Sequence, residues 1–154
     1  MAQLKQGMMT RHMNGEVIDG HFIAGAEIAF GDPVAVNPAG DADVVRKYGG
    51  SFTFFQGFAV RSGGSFTRDA DGLAVEKLSY QAGDLVAVAK KGFVALKVAA
   101  NVTKGKRVAL TTAGAIVDED NGGADLILSG SRFIESGSAN DIVEAEINFP
   151  AAEA

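Results

Sequence analysis

Gly31-Asp32-Pro33-Val34-Ala35-Val36 returns as Gly83-Asp84-Leu85-Val86-Ala87-Val88, and more loosely as Gly105-Lys106-Arg107-Val108-Ala109-Leu110. Each copy follows a short small or polar stretch: Ala24-Gly25-Ala26, Tyr80-Gln81-Ala82 and Val102-Thr103-Lys104. The pattern has a physical reading as a turn that feeds a strand. Glycine supplies a positive φ, the polar residue after it bonds the turn backbone, and the β-branched run enters a sheet. The copies are unevenly spaced, so they are one local device used three times rather than the period of a solenoid or propeller.

The rest of the chain agrees. Twenty glycines and only 3 prolines separate short segments rich in Val, Ala, Ile and Phe, the punctuation of a β-protein with many tight turns. Strands are expected at 27–30, 33–37, 51–61, 73–78, 85–89, 92–98, 107–111, 115–117, 125–128, 132–135 and 142–149. In the last of these, Glu144, Glu146 and Asn148 alternate with Val143, Ala145, Ile147 and Phe149, which puts the second set in the core. Phe93, Ala95 and Lys97 alternate with Val94, Leu96 and Val98 in the same way. No window carries a helical stripe, and the one place for a helical turn is 41–47. The fold class is therefore all-β: a single-domain β-sandwich or barrel, jelly-roll-like, over residues 21–150. Residues 1–20, with methionines and glycines but little alternation, are expected to form an extended N-terminal arm, and 151–154 a frayed tail. Such an arm would carry partner affinity while the domain folds without it.

Composition narrows the function. The chain has 154 residues and no cysteine, so a single core suffices and disulfides, thiolate metal sites and cysteine nucleophiles are excluded. Net charge is -5, and the densest basic groups are Lys90-Lys91 and Lys104-Gly105-Lys106-Arg107. Neither forms the basic stripe with which a nucleic-acid binder displaces counterions. No apolar run reaches the roughly 20 residues of a membrane-spanning helix. The partners expected are therefore proteins, neither nucleic acid nor membrane.

The candidate chemical motifs reduce to turns. His12 and His21, the only histidines, lie in or beside the arm, where a general base or metal ligand would lack rigid support. Asp118-Glu119-Asp120-Asn121-Gly122-Gly123 suggests a calcium loop, but Ser129 stands where an EF-hand needs its bidentate glutamate. Arg68-Asp69-Ala70-Asp71-Gly72 is a shorter version of the same loop, and Ser62-Gly63-Gly64-Ser65 lacks the lysine and helix of a phosphate cradle. No Gly-x-Gly-x-x-Gly follows a strand, and a polysaccharide-active site would need aromatic platforms where the chain has no Trp and only Tyr48 and Tyr80. No catalytic residue, metal ligand or cofactor site is assigned, and no enzyme is expected. Half of the 10 phenylalanines are Phe52, Phe54, Phe55, Phe58 and Phe66. By strict alternation Phe52, Phe54 and Phe58 share the core face and Phe55 points away. Phe55 and Phe66 are thus candidate interface anchors, together with the adaptable methionines Met8, Met9 and Met13 of the arm.

An ordered series in the C-terminal half carries a family likeness. Val102-Thr103-Lys104-Gly105-Lys106-Arg107-Val108-Ala109-Leu110-Thr111 leads to Ala113-Gly114-Ala115-Ile116-Val117. Gly130-Ser131-Arg132-Phe133-Ile134-Glu135-Ser136-Gly137 and Ile142-Val143-Glu144-Ala145-Glu146-Ile147 complete it. The series resembles the closing section of tailed-bacteriophage capsid cement and head-decoration proteins. Ala24-Gly25-Ala26-Glu27-Ile28, Gly31-Asp32-Pro33-Val34 and Phe55-Gln56-Gly57-Phe58-Ala59-Val60 match in style, so the likeness covers about 22–149. It implies a structural virion protein, a homodimer or homotrimer, that binds the outside of the capsid after assembly in the host cytoplasm. There it would bridge major capsid protein subunits and stabilise the shell. The alternative is another virion β-domain, of the tail or baseplate.

Overall fold

A computed structural model describes residues 4–11, 16–61, 66–68, 74–76 and 78–149. Its strands in the first half are β1 (Met9–Arg11), β2 (Val17–Ala24), β3 (Ile28–Ala29), β4 (Pro33–Val36), β5 (Val44–Lys47), β6 (Phe54–Ala59), β7 (Phe66–Arg68) and β8 (Ala74–Glu76). The second half holds β9 (Ser79–Tyr80), β10 (Leu85–Lys97), β11 (Val108–Leu110), β12 (Ile116–Asp118), β13 (Leu126–Ile127), β14 (Arg132–Phe133) and β15 (Ile142–Asn148). The described residues are all-β, as the alternation implies.

The three repeated motifs make the same turn. Gly31, Gly83 and Gly105 sit at φ 91, 92 and 86°. The residue after each donates its amide three residues back: Asp32 to the Ala29 carbonyl at 3.1 Å, Asp84 to Gln81 at 3.0 Å, Lys106 to Thr103 at 3.1 Å. In the two aspartate copies the side chain returns the bond, accepting from the amides of Ala29 at 3.0 Å and Gln81 at 2.8 Å. Each turn then launches β4, β10 or β11.

Of the sandwich or barrel expected, the structure takes a closed barrel. β10, β2, β5, β4 and β6 pair in that order, and β6 returns to β10 through Val88–Ala59 and Ala89–Phe58. The β2–β5 pairing is parallel and the others are antiparallel. Phe22, Ala24, Val34, Val36, Val45, Ala59, Val86 and Val88 fill the interior, with Ile28, Phe30 and Tyr80 joining them. The buried Tyr80 hydroxyl is satisfied, donating to the Val60 carbonyl at 2.6 Å and accepting from the Ala87 amide at 3.3 Å.

A second core lies outside the barrel wall. The far half of β10 leaves the barrel and pairs with β15, which pairs with β14. The three-stranded sheet β12–β11–β13 contributes Val108, Leu110 and Ile116 to the same cluster as Val94, Leu96, Phe133, Val143, Ala145 and Ile147. Two expected strands, 85–89 and 92–98, are thus one continuous strand of 13 residues. Gly92, at φ 145°, lets it change direction without breaking.

Three readings change. The expected helical turn at 41–47 is a turn followed by β5: the Val44 amide donates to Asp41 at 3.3 Å, and the β-branched Val44 and Val45 then pair with Ile23 and Ala24. Of the residues expected in an arm, 9–11 and 17–20 are strands of the sheet, and the turn at 6–7 before them is also tied to it. The Gly7 amide donates to Ala95 at 2.7 Å, Ala95 donates to Met8 at 2.9 Å, and Arg61 donates to Gly7 at 2.8 Å. Their weak alternation reflects strands that lean on backbone partners rather than on a buried face. Finally, β6 is bulged. Gly57 faces Val34 and Phe55 faces Ala35, so Gln56 is one residue extra. The parity flips there, which places Phe55 on the same side as Phe58, with ring centroids 5.6 Å apart. Phe54, expected in the core, is 60% exposed.

Gly57 is where the barrel closes. It has φ 146°, and a Cβ there would lie 2.4 Å from the Ala89 carbonyl oxygen. Gly57→Ala is expected to cost about 2 kcal/mol or more, from backbone strain plus the clash. Gly122→Ala, in open space, should stay within about 0.5 kcal/mol. Urea melts of the two variants compare them directly. Deletion of residues 1–20 removes β1 and half of β2, and should lower the melting temperature by about 10 °C or more in calorimetry.

Candidate interaction surface

Met9 and Phe55 both pack against the second core. The Met9 Cε lies 2.6 Å from where a Cβ on Gly92 would stand, so the thioether covers that glycine. Phe55 stacks edge-on against Tyr48, Phe58 and Phe149 at 6.4, 5.6 and 4.7 Å. Met8 is half-buried. Met13 lies outside the described residues, and of Phe66 only the backbone is described, in β7 paired with β8.

The acidic loop is occupied by its own fold. Asp118 is buried, and its carboxylate accepts from the amides of Thr103 at 3.1 Å and Asp120 at 3.0 Å. Glu119 takes the Arg107 amide at 2.7 Å and its guanidinium at 3.0 Å, and Asp120 pairs with Lys106 at 3.2 Å. The hydrogen bonds and charge of Arg107 hold the Glu119 carboxyl below its ordinary range, and Asp120 raises Lys106. This is a cross-linked loop of tight turns but not the hairpin the sequence suggests, because β12 and β13 flank β11 on opposite sides and the segment crosses between them. His12, residues 62–65 and residues 69–72 lie outside the described residues. His21 sits between two carboxylates: its Nδ1 contacts Asp19 and its Nε2 lies 3.6 Å from Asp43.

One cleft opens between the barrel and the second core. It holds about 190 Å³ and is lined by Gln6, Asp32, Lys47, Lys97 and Asn140, among others. Ligand pockets start near roughly 300 Å³, so this is small for a substrate. Among the described residues no group of three or more His, Asp or Glu side chains is placed to hold a metal ion.

Exposed apolar side chains are the other feature. Among the described residues Val17, Ile18, Ile23, Phe54, Leu78, Leu85 and Ile127 are large, apolar and exposed. Four concentrate on one strand pair: Val17, Ile18 and Ile23 on β2, and Leu85, which faces Ile23 from β10. Ile23 and Leu85 cannot turn inward, because the barrel side of that pair is already filled by Phe22, Ala24, Val86 and Val88, whereas the consecutive Val17 and Ile18 point to opposite faces. Alternation alone missed the β2 members of this set, since residues 17–20 fall in the expected arm and 21–24 in no expected strand. The available signal was Ile23 and Leu85 beside residues assigned to strands.

A sequence profile described as structural cement protein (E217 gp24/Pam3 gp6) matches residues 1–148. A chain in the structure "The capsid of Myoviridae Phage XM1" has a similar fold. The TM-score is 0.68 at 17% identity, over 97% of this chain and 92% of that one. A chain in "The crystal structure of head fiber gp8.5 N base in bacteriophage phi29" is more distant, with a TM-score of 0.48 and 13% identity. That likeness covers 90% of this chain and 99% of the other, and carries no argument. No curated protein sequence matches. The barrel with filled cores is that of a structural virion protein. The chain belongs to the phage structural cement protein family, as the resemblance of its C-terminal half implies.

Asp32, in the cleft, provides a pH test. Burial raises its pKa, against the opposing pull of Lys47 and the Ala29 amide. A raised folded pKa means the native state holds the proton more tightly, so this carboxylate costs stability above its folded pKa. The cost fades as pH falls through that value toward the ordinary 3.8. Asp32→Asn keeps an acceptor for Ala29, and should melt higher than the parent at pH 7, with the gap closing below about pH 4.

Proposed function

We propose that this chain binds the outer surface of a phage capsid, bridges neighbouring major capsid protein subunits and stabilises the shell, without catalysis. The observation that carries the reading is the family match over residues 1–148. The residues support it. The interiors are filled with apolar side chains, the cleft is small for a substrate, and the acidic loop is consumed by its own hydrogen bonds. What the surface offers is apolar area on a rigid barrel, which suits contact with another protein.

A cement role also suits modest contacts. A protein that touches two or more neighbouring subunits gains by effective concentration, so individually weak sites add up. Assembly as a homodimer or homotrimer would multiply those contacts and shield sheet edges. Met8, Met13 and Phe66 belong to this proposal as contact residues, together with the parts of Met9 and Phe55 that the second core leaves uncovered, with the chain joining the shell in the host cytoplasm.

Cosedimentation of the purified chain with mature, undecorated capsids of its source phage tests the reading. Saturable binding at a fixed ratio to the major capsid protein is the expected result. If the chain stays in the supernatant at every ratio, as an unrelated β-domain does, capsid binding is wrong and a tail or baseplate position becomes the reading to test.

A further inference from the structure

We infer that Asn121, in the loop between β12 and β13, is a site of spontaneous covalent modification. The Gly122 nitrogen closes on the Asn121 side-chain carbonyl, ammonia leaves, and water opens the resulting succinimide to a carboxylate. The reaction needs only this chain and water, and is independent of the capsid-binding reading.

The loop holds the reacting groups ready. The nucleophile is free: the Gly122 amide makes no hydrogen bond among the described residues, and a Cβ at Gly122 would stand in open space. The electrophile is held and polarised. Asn121 Oδ1 accepts from the Gly123 amide at 2.8 Å, which closes a turn around the Gly122 peptide unit. Negative charge builds on that oxygen as the nitrogen attacks, so the Gly123 N–H stabilises it as a donor in an oxyanion hole does. The leaving Nδ2 makes no hydrogen bond among the described residues. The frame around these atoms is fixed, because the Asn121 amide donates to Asp118 at 3.1 Å and the Ala124 amide donates to Asn121 at 3.0 Å. Gly122 is exposed and Asn121 half-buried, so hydroxide and water reach both.

The following glycine sets Asn121 apart from Asn37, Asn101, Asn140 and Asn148, which precede Pro, Val, Asp and Phe. Proline has no N–H to lose, and the other side chains crowd the attacking nitrogen. The steps balance without an oxidant or reductant. Hydroxide takes the Gly122 proton, the N–Cγ bond forms, and the Cγ–Nδ2 bond breaks as Nδ2 gains a proton from water and departs as ammonia. Water then adds to either ring carbonyl. Cleavage at Cγ leaves aspartate, and cleavage at the main-chain carbonyl leaves isoaspartate, with the Cβ methylene carried into the main chain. Either product takes the net charge one unit below -5. Arg107 and Lys106 are already engaged by Glu119 and Asp120, so the added charge makes the loop more acidic as the protein ages.

The test follows the full folded chain for weeks in mildly alkaline buffer, by ion exchange, peptide mass mapping and isoaspartyl methyltransferase labelling. An acidic species should accumulate, map to Asn121 and take the label, faster as pH rises, while Asn37, Asn101, Asn140 and Asn148 keep their amides. Asn14 also precedes a glycine and lies outside the described residues, so the mapping scores it separately. Gly122→Ala adds a Cβ that meets nothing in the fold but crowds the nucleophile. It should melt as the parent does and convert about tenfold or more slowly. The same chain unfolded in urea is the reference. If Asn121 keeps its amide in the folded chain while the unfolded chain loses it, the turn protects the side chain and the inference is overturned. Equal rates in the parent and Gly122→Ala would overturn it too, since the following nitrogen is then not the attacking group.

Discussion

The strand Leu85–Lys97 belongs to two cores at once, and the rest of the molecule is arranged around that fact. Its first half closes the barrel, hydrogen-bonded to β2 on one side and β6 on the other. Val86 and Val88 point into the barrel, while Ala89, Val94 and Leu96 face the second core. Past Gly92 the same backbone pairs with β15 and with the N-terminal strand. A single covalent strand through both cores couples them more firmly than a side-chain interface would. Its ladder cannot slip in one core without moving side chains in the other.

Glycine makes this possible where backbones approach. Gly57 permits β6 to lie against Ala89 at the point of closure, and its bulge tightens the local twist. Gly7 and Gly31 meet in the same manner: a Cβ on Gly7 would stand 2.6 Å from the Gly31 nitrogen. That contact lets the N-terminal strand run beside the barrel and donate to Ala95. A segment with little hydrophobic pattern is therefore held by backbone hydrogen bonds and close packing.

Filled interiors direct the function outward. Phe30 and Tyr80 pack edge-on at 5.1 Å inside the first core, and Phe133, Leu96 and Ile147 are fully buried in the second. With the described interiors filled by apolar side chains, what distinguishes this barrel is what its walls display. A structural virion protein of the cement family needs a rigid body with contact faces, and the shared strand supplies the rigidity.

The sequence by itself determined the all-β class, the three glycine turns and the faces of β15, because each depends on local chemistry: a positive φ, a short side chain that bonds its own turn, and a period of two. It also carried the family, through an ordered series of such turns. Only the tertiary structure decided that 85–89 and 92–98 are one strand, that residues 9–11 and 17–24 belong to the sheet, and that Phe55 rather than Phe54 faces the core. Those outcomes hang on pairing between segments far apart in the chain. An extra residue at Gln56 reverses the side-chain parity only relative to the partner strand β4, and no local pattern records which strand that partner will be.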